Sequence, residues 1–379
     1  MHGVGDRPLK LGVLGAGMIA TFHYGYLPGT RDIPDKVEIA ALCDPVVDRA
    51  RGVAREYGVD QARVYARLED MLEHAEFDVL LNLTPIPLHG ATSRRALEAG
   101  KHVITEKPIA TTMDDADALV ETADARGLTL VCAPPNMLDP ARQQAKRFVA
   151  EGAIGQVAFA RVRSSHGGPA AGAWPADPTW FYQEGSGPLF DMGVYGIHDV
   201  TGILGPAKRV FAMSGITEKE RTVRAGPFAG KQIEVTADDN TLMMLDFGRS
   251  AFAVVDGTFN VNAARGPAVE IFGRRGTLNL VRDAGRGPDP SQAAIELYLL
   301  DVAPGADGWV TPSVPGFDQQ MAHFHKLQRA IVIEHTVDCI RSGRKPILSA
   351  EHGRHALEIM LRAAEAARSG RAVDLKTAF

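Results

Sequence analysis

Three polar side chains in the middle of the chain share a spacing that suits proton transfer. Asp191, Tyr195 and His198 lie at positions i, i+4 and i+7, so on an α-helix they would share one face. An acid, a phenol and an imidazole on one face can accept, donate or relay a proton, which is general acid–base chemistry. A helix with a polar stripe and a buried tyrosine is the alternative, and spacing alone does not decide between the two.

A lysine is a further candidate for this chemistry. Lys107 comes shortly after the apolar run 102–105, and the following Pro108 restricts the lysine to an extended backbone. At the carboxyl edge of a parallel sheet, its ammonium group could hydrogen-bond a reacting oxygen and stabilise developing alkoxide charge. A surface lysine before a turn proline is the simpler alternative.

A glycine-rich segment near the start of the chain predicts dinucleotide binding. Residues 15–20, GAGMIA, match the pattern G-x-G-x-x-G/A and follow an apolar run directly. Gly15 permits a tight turn, and Gly17 lets the backbone approach a pyrophosphate. The N–H groups at the start of the next helix, around Met18 and Ile19, would point at the phosphates. A glycine-rich turn without a ligand is the alternative, and the position after a strand favours the cofactor.

An aspartate at the end of the second apolar run predicts which dinucleotide is bound. Asp44 follows the run 37–43 and precedes Pro45. A carboxylate there can accept hydrogen bonds from both ribose hydroxyls of NAD and would repel the 2′-phosphate of NADP. The sequence therefore favours NAD over NADP, and a helix-capping role for Asp44 is compatible with this.

These residues need a particular sheet to bring them together. The sequence predicts buried strands, alternating with helices, over about the first 130 residues, which indicates a doubly wound parallel sheet with right-handed crossovers. We predict this α/β Rossmann domain, with NAD as its ligand, over residues 1–133. The predicted strands are 9–14, 37–43, 77–83, 102–105 and 128–132, and the predicted helices are 46–57, 68–74, 89–99 and 113–125.

The remainder of the chain, residues 134–379, predicts an α+β domain for substrate binding and oligomerisation, whose last helices could pack back on the Rossmann domain. Its longer, partly alternating strands fit a large, mostly antiparallel, open-faced sheet. An apolar sheet face without covering helices would be an interface between copies of the chain, so we predict a homodimer or homotetramer. The predicted strands are 156–165, 210–217, 241–247, 251–258 and 268–273, and the predicted helices are 140–151, 319–342 and 351–369.

Three further segments resemble the Gfo/Idh/MocA family of sugar and polyol dehydrogenases. They are NLTP at 82–85 with His89, EKP at 106–108, and GSGPLFDMGVY at 185–195. With the glycine-rich segment they extend the likeness over nearly the whole chain. The resemblance implies an NAD(P)-dependent oxidoreductase that transfers a hydride between nicotinamide and a carbinol or carbonyl carbon of a sugar, inositol or related polyol. It also implies cofactor contacts for Thr84, Pro85, His89, Glu106 and Lys107.

By the same resemblance, Lys107, Asp191 and Tyr195 correspond to the catalytic lysine, aspartate and base. Many members carry histidine at the position of Tyr195 and aspartate at that of His198, so this chain looks like the tyrosine-bearing, glucose-fructose oxidoreductase-like branch. A free tyrosine ionises near pH 10, so as a base it needs a neighbouring cation such as Lys107. His198 could relay the proton or serve as the base itself.

Four other side chains are candidates for substrate contact together with the catalytic ones. Asn136 follows the last predicted Rossmann strand, Arg163 and His166 lie at the end of the next strand, and Trp180 lies in the loop beyond. A cation beside aromatic rings suits a sugar or a carboxylated polyol, because aromatic faces cover C–H patches and arginine binds oxygens. The alternatives are a surface loop pinned by tryptophans and, for Asn136, a residue that shapes its turn.

Composition excludes several classes of function. A formal net charge of -5 gives no electrostatic reason to bind nucleic acid or an anionic membrane. No apolar run is long enough to span a bilayer, the first residues lack the core of a signal peptide, and the three cysteines are far apart. We therefore expect a cytoplasmic protein. His323, His325 and His335 lack the spacing of metal ligands and are expected to be exposed helical histidines, so we predict no metal.

Two other functions remain open from the sequence. An NAD-dependent glycosidase on the same scaffold would oxidise a sugar carbon transiently and recycle its cofactor, so it would release no net NADH. A non-catalytic dinucleotide sensor would need no proton relay, which the presence of Lys107, Asp191 and Tyr195 argues against.

Overall fold

The computed structural model describes residues 7–281 and 295–379, and its chain divides into two compact units. The first unit comprises Met1–Pro140 and Gly316–Leu357, and the second comprises Ala141–Pro315 and Glu358–Phe379. Each unit is therefore discontinuous in sequence. The domain limits at residue 133 remain a prediction.

A six-stranded parallel sheet forms the centre of the first unit, which confirms the predicted Rossmann architecture. Its strands are β1 (Leu9–Leu14), β2 (Val37–Cys43), β3 (Val64–Tyr65), β4 (Val79–Asn82), β5 (His102–Thr105) and β6 (Leu130–Cys132). They pair in parallel in the order β3-β2-β1-β4-β5-β6, so the direction of winding reverses at β1. Ligands of doubly wound sheets bind at the carboxyl ends of the strands beside such a reversal.

The burial of these strands explains why the sequence predicts most of them. Every residue of β4 and β6 is buried, because strands covered on both faces form continuous apolar runs. The short β3 was not predicted. It holds only Val64 and Tyr65, and both are partly exposed.

Helix boundaries follow local capping chemistry. The Thr112 hydroxyl accepts the backbone N–H of Asp115 where one helix begins, and Gly127 ends that helix in the left-handed conformation.

Among the described residues, no helix has the length and apolar character needed to cross a bilayer. The helices are α1 (Met18–Thr21), α2 (Val47–Tyr57), α3 (Leu68–His74), α4 (His89–Glu98), α5 (Met113–Arg126), α6 (Pro140–Ala150), α7 (Val194–Leu204), α8 (Phe317–Leu327), α9 (Ala330–Ser342) and α10 (Ala350–Ser369).

The second unit contains a large sheet that is mostly antiparallel, as predicted, with one parallel pair. Its strands are β7 (Val157–Val162), β8 (Arg209–Gly215), β11 (Asn240–Gly248), β12 (Ala251–Thr258), β13 (Val269–Gly273), β14 (Gly276–Leu280), β15 (Ile295–Ala303), β16 (Ala306–Val310) and β17 (Val373–Asp374), and β9 (Glu220–Thr222) pairs with β10 (Gln232–Glu234) separately. The large sheet has the order β16-β15-β14-β13-β7-β12-β11-β8-β17, in which β7 and β12 are the parallel neighbours.

The two faces of this sheet differ in what covers them. Helix α7 packs against β7 and β12 on one face, where side chains such as Ala160, Val255 and Leu245 are fully buried. Side chains on the other face remain exposed although many of them are large and apolar. We call this second surface the open face, and its exposed apolar residues include Phe159, Phe211, Met213, Leu242, Met244, Phe252 and Val254.

The continuous helix predicted for residues 319–342 is wrong. Helix α8 ends at Leu327 and α9 begins at Ala330, and Gln328 between them has a positive φ of 52°. The break coincides with a close approach of the Gly29 backbone, because a Cβ on Gly29 would lie 2.7 Å from the Ala330 Cβ. The sequence pattern does not reveal this contact.

The expectation of exposed histidines along these helices is also wrong for two of them, because His325 and His335 are both half-buried. The His335 Nε2 accepts the backbone N–H of Ile347 at 3.0 Å. Burial lowers the pKa of His335 to about 4. His323 instead lies 2.7 Å from the Glu334 carboxylate. Within residues 7–281 and 295–379, no group of three His, Cys, Asp or Glu side chains is arranged to hold a metal ion.

The burial of His335 predicts how stability depends on pH. The pKa of His335 falls from 6.5 to about 4 on folding, so between these values the unfolded chain binds a proton that the folded chain does not. The free energy of unfolding should therefore decrease as the pH falls from 6.5 towards 4, and His335→Gln should make this decrease shallower. Thermal unfolding measured across this pH range checks the prediction, and identical slopes for the two proteins would contradict it.

Candidate functional site

The glycine-rich turn after β1 has the geometry that the fingerprint predicts. Gly15 has a φ of +98°, and a Cβ there would lie 2.6 Å from the Leu83 carbonyl oxygen, so the turn requires glycine. Gly17 precedes α1, and a Cβ built on it would meet nothing within 4 Å. Ala20 is fully buried, which lets α1 pack closely. The turn thus leaves open space in front of Gly17, where a pyrophosphate would fit.

Asp44 is tied to this turn by its own hydrogen bonds. Its Oδ2 accepts the backbone N–H of Ala16 at 2.9 Å, and its Oδ1 accepts that of Val46 at 2.8 Å. The Arg49 guanidinium lies 3.4 Å from Oδ2, and Asp44 is only 3% exposed. Because each carboxylate oxygen has two lone pairs, Asp44 can hold the turn and still accept further hydrogen bonds.

The turn after β4 is organised by buried polar side chains. The Asn82 amide donates to Thr92 Oγ1 at 2.7 Å and to Ser93 Oγ at 2.9 Å, and its Oδ1 accepts the N–H and hydroxyl of Thr84. These bonds join the end of β4 to α4. Thr84 is half-buried and Pro85 is exposed, so both lie at the surface of the turn.

His89 joins this turn to the next one. Its Nε2 lies 2.8 Å from the Thr84 carbonyl oxygen, and its Nδ1 lies 2.7 Å from the Pro108 carbonyl oxygen. The side chain is 1% exposed, and burial lowers its pKa while the two carbonyl contacts oppose this shift. Both ring nitrogens thus face backbone oxygens, so the structure places His89 beneath the loops that carry the predicted cofactor contacts.

The segment after β5 is fixed by a buried carboxylate. Glu106 accepts the Tyr26 hydroxyl at 3.0 Å and the Lys107 backbone N–H at 3.0 Å, and the Arg329 Nε lies 3.8 Å away. Lys107 is half-buried and is joined to Pro108 by a cis peptide bond. Tyr26 and Arg329 were missed from the sequence, because no short motif links them to Glu106.

Asn136 lies beyond β6, in a 3₁₀ turn over Pro135–Leu138. Its carbonyl oxygen accepts the backbone N–H of Asp139 at 3.0 Å, and the residue is half-buried. This bond fits the turn-shaping role that the sequence left open.

In the second unit, the predicted helix face is interrupted. Tyr195 and His198 lie in α7, but Asp191 lies before it in a wider, π-helical turn over Leu189–Gly193. The three residues therefore do not share one regular α-helix, contrary to the i, i+4, i+7 expectation. Asp191 and Tyr195 are half-buried, whereas His198 is only 2% exposed.

A buried ion pair lies beside this segment and was not predicted. Arg142 of α6 donates from Nε to Asp199 Oδ1 at 2.6 Å and from Nη2 to Oδ2 at 3.0 Å, and both residues are buried. Asp199 directly follows His198. An arginine between the buried Ala141 and Ala145 of α6 is the sequence signal that could have revealed this pair.

The predicted substrate contacts of this unit have different surroundings. Arg163 donates to the Pro267 carbonyl oxygen at 2.5 Å and to Glu270 at 3.0 Å. His166 accepts the Gly168 N–H through Nδ1 at 2.8 Å. Trp180 is 45% exposed, with its ring centroid 4.1 Å from that of Phe181. Among these, Trp180 presents an open aromatic face.

The chain matches two family models. The model described as "Oxidoreductase family, NAD-binding Rossmann fold" matches residues 9–133, and the model described as "GFO/IDH/MocA C-terminal domain" matches residues 142–279. Both models describe parts of one family, and together they cover most of both units.

Curated relatives and solved structures agree with this match. D-apiose dehydrogenase of Paraburkholderia graminis is 27% identical, over 98% of this chain and 91% of the relative. The scyllo-inositol 2-dehydrogenase (NAD(+)) of Bacillus subtilis is 24% identical, over 99% of each chain. An NAD binding oxidoreductase from Klebsiella pneumoniae shares the fold, with a TM-score of 0.82 at 22% identity over 98% of this chain and 100% of the other.

The glycine-rich turn, the parallel sheet that carries it and the matches to both domain models lead to one conclusion. The chain belongs to the Gfo/Idh/MocA family of NAD-binding oxidoreductases.

Proposed function

We propose that this protein is an NAD-dependent dehydrogenase or reductase that acts on a CH–OH group of a sugar, inositol or related polyol. The observation that carries the proposal is the open space at Gly17, beside a β1 turn that only glycine can form at Gly15. The names of the relatives, which include D-apiose and scyllo-inositol dehydrogenases, support the substrate class. They do not favour a glycosidase or a sensor.

The first unit would hold the cofactor at the carboxyl edge of its sheet. Gly15 and Gly17, with the N–H groups at Met18 and Ile19, would bind the pyrophosphate. Asp44 would accept the ribose hydroxyls, and its buried carboxylate favours NAD over NADP. Because Arg49 lies 3.4 Å from this carboxylate, repulsion of the NADP phosphate would be weakened but not removed.

The loops after β4 and β5 would position the reactive end of the cofactor. Thr84 and Pro85 lie at the surface of the first loop, and Glu106 and His89 hold these loops from beneath. When bound, NAD supplies the carbon that accepts or gives the hydride. In this proposal, Lys107 is the residue of these loops that faces the reacting oxygen.

Proton transfer is assigned to Lys107, Asp191 and Tyr195. The Lys107 ammonium would stabilise the developing alkoxide, Asp191 would orient the reacting groups, and the Tyr195 hydroxyl would exchange the proton. His198 is 2% exposed, which suits a relay behind Tyr195 better than direct contact with a substrate. These roles follow the tyrosine-bearing branch that the motif resembles.

The substrate contacts come from side chains that recognise hydroxyl-rich rings. Trp180 offers an exposed aromatic face for C–H patches, and Arg163 and His166 carry polar groups for oxygens. Asn136 would contribute an amide group. The substrate proposed is therefore a small polyhydroxylated molecule rather than a nucleic acid.

The free cysteines support a reducing compartment, and we propose that the protein is cytoplasmic. Cys43, Cys132 and Cys339 are all buried free thiols. Burial, together with Asp44 and Asp70, raises the pKa of Cys43 to about 12, which keeps the thiol protonated and unreactive.

The open face is proposed as the interface of a homodimer or homotetramer. Met244 lies opposite Phe211 on one neighbouring strand and opposite Val254 on the other, so these exposed side chains form one continuous patch. Monomeric proteins rarely expose large continuous apolar patches. A second copy of the same face would bury this patch through isologous pairing.

Substitutions at the two glycines of the β1 turn should have different effects on folding and on cofactor binding. Gly17→Ala places a methyl group in open space, so the melting temperature without ligand should stay within about 2 °C, while NAD affinity should fall about tenfold or more because the backbone can no longer approach the pyrophosphate. Gly15→Ala should lower the melting temperature, because its Cβ meets the Leu83 carbonyl. Thermal unfolding and NAD titration calorimetry measure both, and unchanged NAD affinity in Gly17→Ala would refute the proposed pyrophosphate site.

The proton-transfer assignment is tested by single substitutions. With NAD and a panel of sugars and inositols, the wild-type protein should form NADH. With NADP in place of NAD, it should form NADPH less efficiently. Tyr195→Phe should lower kcat about 100-fold or more and leave NAD affinity intact, since it removes only the exchanging hydroxyl. If His198→Ala abolishes turnover while Tyr195→Phe barely changes it, the roles of the two residues are reversed.

The oligomer prediction depends on the open face alone. The double variant Leu242→Lys, Met244→Glu should be a monomer by light scattering at micromolar concentration, where the wild type is a dimer or tetramer, because charge on this face prevents its burial. Ile347→Lys, which alters a similarly exposed apolar residue outside the sheet, is the matched control and should remain oligomeric. A monomeric wild-type protein would disprove the interface.

A further inference from the structure

At the start of α7, a side chain from outside the helix lies between two backbone groups of the helix. In a regular α-helix the Gly196 N–H would donate to the Met192 carbonyl, four residues earlier. Here the Ser164 hydroxyl oxygen accepts the Gly196 N–H at 3.0 Å and donates its own proton to the Met192 carbonyl. One hydroxyl from the segment after β7 thus bridges the two backbone groups that a regular α-helix joins directly.

The insertion lies where the helix widens. The preceding turn, Leu189–Gly193, is π-helical, and the Val194 N–H donates to the Leu189 carbonyl, five residues earlier. A π turn contains one residue more than an α turn, which rotates everything before it by roughly 100° about the helix axis. Asp191 lies inside this turn and Tyr195 lies after it. The turn therefore sets the angle between these two side chains.

Close packing against the sheet brings the helix within reach of Ser164. A Cβ on Gly196 would lie 2.9 Å from the Ser164 Cβ and 2.9 Å from Val255 Cγ1. Only glycine allows this approach.

Ser164 is itself held rigidly. It is buried, and its backbone N–H donates to Asp256 Oδ1 at 2.6 Å. The neighbouring Ser165 donates to the same oxygen at 2.7 Å and accepts the Thr258 N–H at 3.0 Å. Asp256 thus fixes both serines, but the hydrogen bonds of Ser165 join strand to strand, whereas those of the Ser164 hydroxyl join strand to helix.

We propose that Ser164 is a positioning residue of the reaction. Its hydroxyl, inserted between Met192 and Gly196, maintains the wide turn that sets the orientation of Asp191 relative to Tyr195 and His198. The inference rests on the proposed function, because it assumes that these three residues carry the proton transfer. Ser164 itself has no contact with the reacting atoms in this account.

The two adjacent serines provide a matched pair of variants. Ser164→Ala should lower kcat at least tenfold and shift the pH profile of kcat, with NAD affinity unchanged within about twofold, since only the proton-transfer groups are misaligned. Ser165→Ala removes a hydroxyl bound to the same carboxylate and should keep kcat within about twofold. Ser164→Cys, which retains the size of the side chain but accepts hydrogen bonds poorly, should lose kcat in the same direction and covers the case in which Ser164→Ala does not fold.

A crystal structure of Ser164→Ala separates this inference from the proposed function. We expect the Asp191 carboxylate to move by about 1 Å or more relative to the Tyr195 hydroxyl, and no such movement in Ser165→Ala. An unchanged Leu189–Gly193 turn overturns the inference even if kcat falls, and so does a moved Asp191 with wild-type kcat. If the wild-type protein turns over no sugar or inositol, the proposed function fails, and the inference that depends on it fails with it.

Discussion

One buried imidazole joins the two loops on which the proposed chemistry of the first unit depends. His89 contacts the Thr84 carbonyl from one ring nitrogen and the Pro108 carbonyl from the other, so it fixes the spacing between the loop after β4 and the loop after β5. A carbonyl oxygen only accepts hydrogen bonds, so the two contacts together favour a ring with a proton on each nitrogen, whereas burial lowers the pKa of His89. Each satisfied buried hydrogen bond is worth about 1 kcal/mol, and leaving a buried partner unsatisfied costs about 1–3 kcal/mol.

In the second unit, other buried polar side chains connect the segments that carry the residues assigned to chemistry. Ser164 connects the sheet to the wide turn before α7, and the Arg142–Asp199 pair connects α6 to α7 directly after His198. Removing one partner of a buried ion pair typically costs about 3–5 kcal/mol, because the other charge remains buried without compensation. Lys107, Asp191 and Tyr195, to which proton transfer is assigned, are half-buried, whereas the side chains of Ser164, Arg142 and Asp199 are buried and polar.

The sequence predicts much of the fold because the signals involved are local. Five of the six Rossmann strands are apolar runs, and Thr112 and Gly127 mark the ends of α5 by capping chemistry that three or four residues specify. The strands β14, β15 and β16 were not predicted, and neither was the break between α8 and α9. That break accompanies a close approach by Gly29, which is about 300 residues distant in sequence and leaves no periodic signal.

The residues of the candidate site also fall into two groups, those that the sequence reveals and those that it does not. Short motifs reveal Gly15, Asp44, Lys107 and Tyr195, because the chemistry of each motif constrains neighbouring residues. They do not reveal the partners that hold these residues. Tyr26 contacts Glu106 across 80 positions, and Ser164 contacts Gly196 across 32. Such pairs depend on tertiary structure, so the sequence identifies groups that could do chemistry better than the groups that orient them.

The central claim is that this chain moves a hydride between a carbinol carbon and nicotinamide. The most direct measurement uses sugars and inositols deuterated at their carbinol carbons, incubated with the protein and NAD, followed by mass spectrometry of the cofactor. The account predicts reduced cofactor that carries one deuterium, together with the oxidised sugar. A cofactor that stays oxidised and free of deuterium with every member of the panel would contradict it.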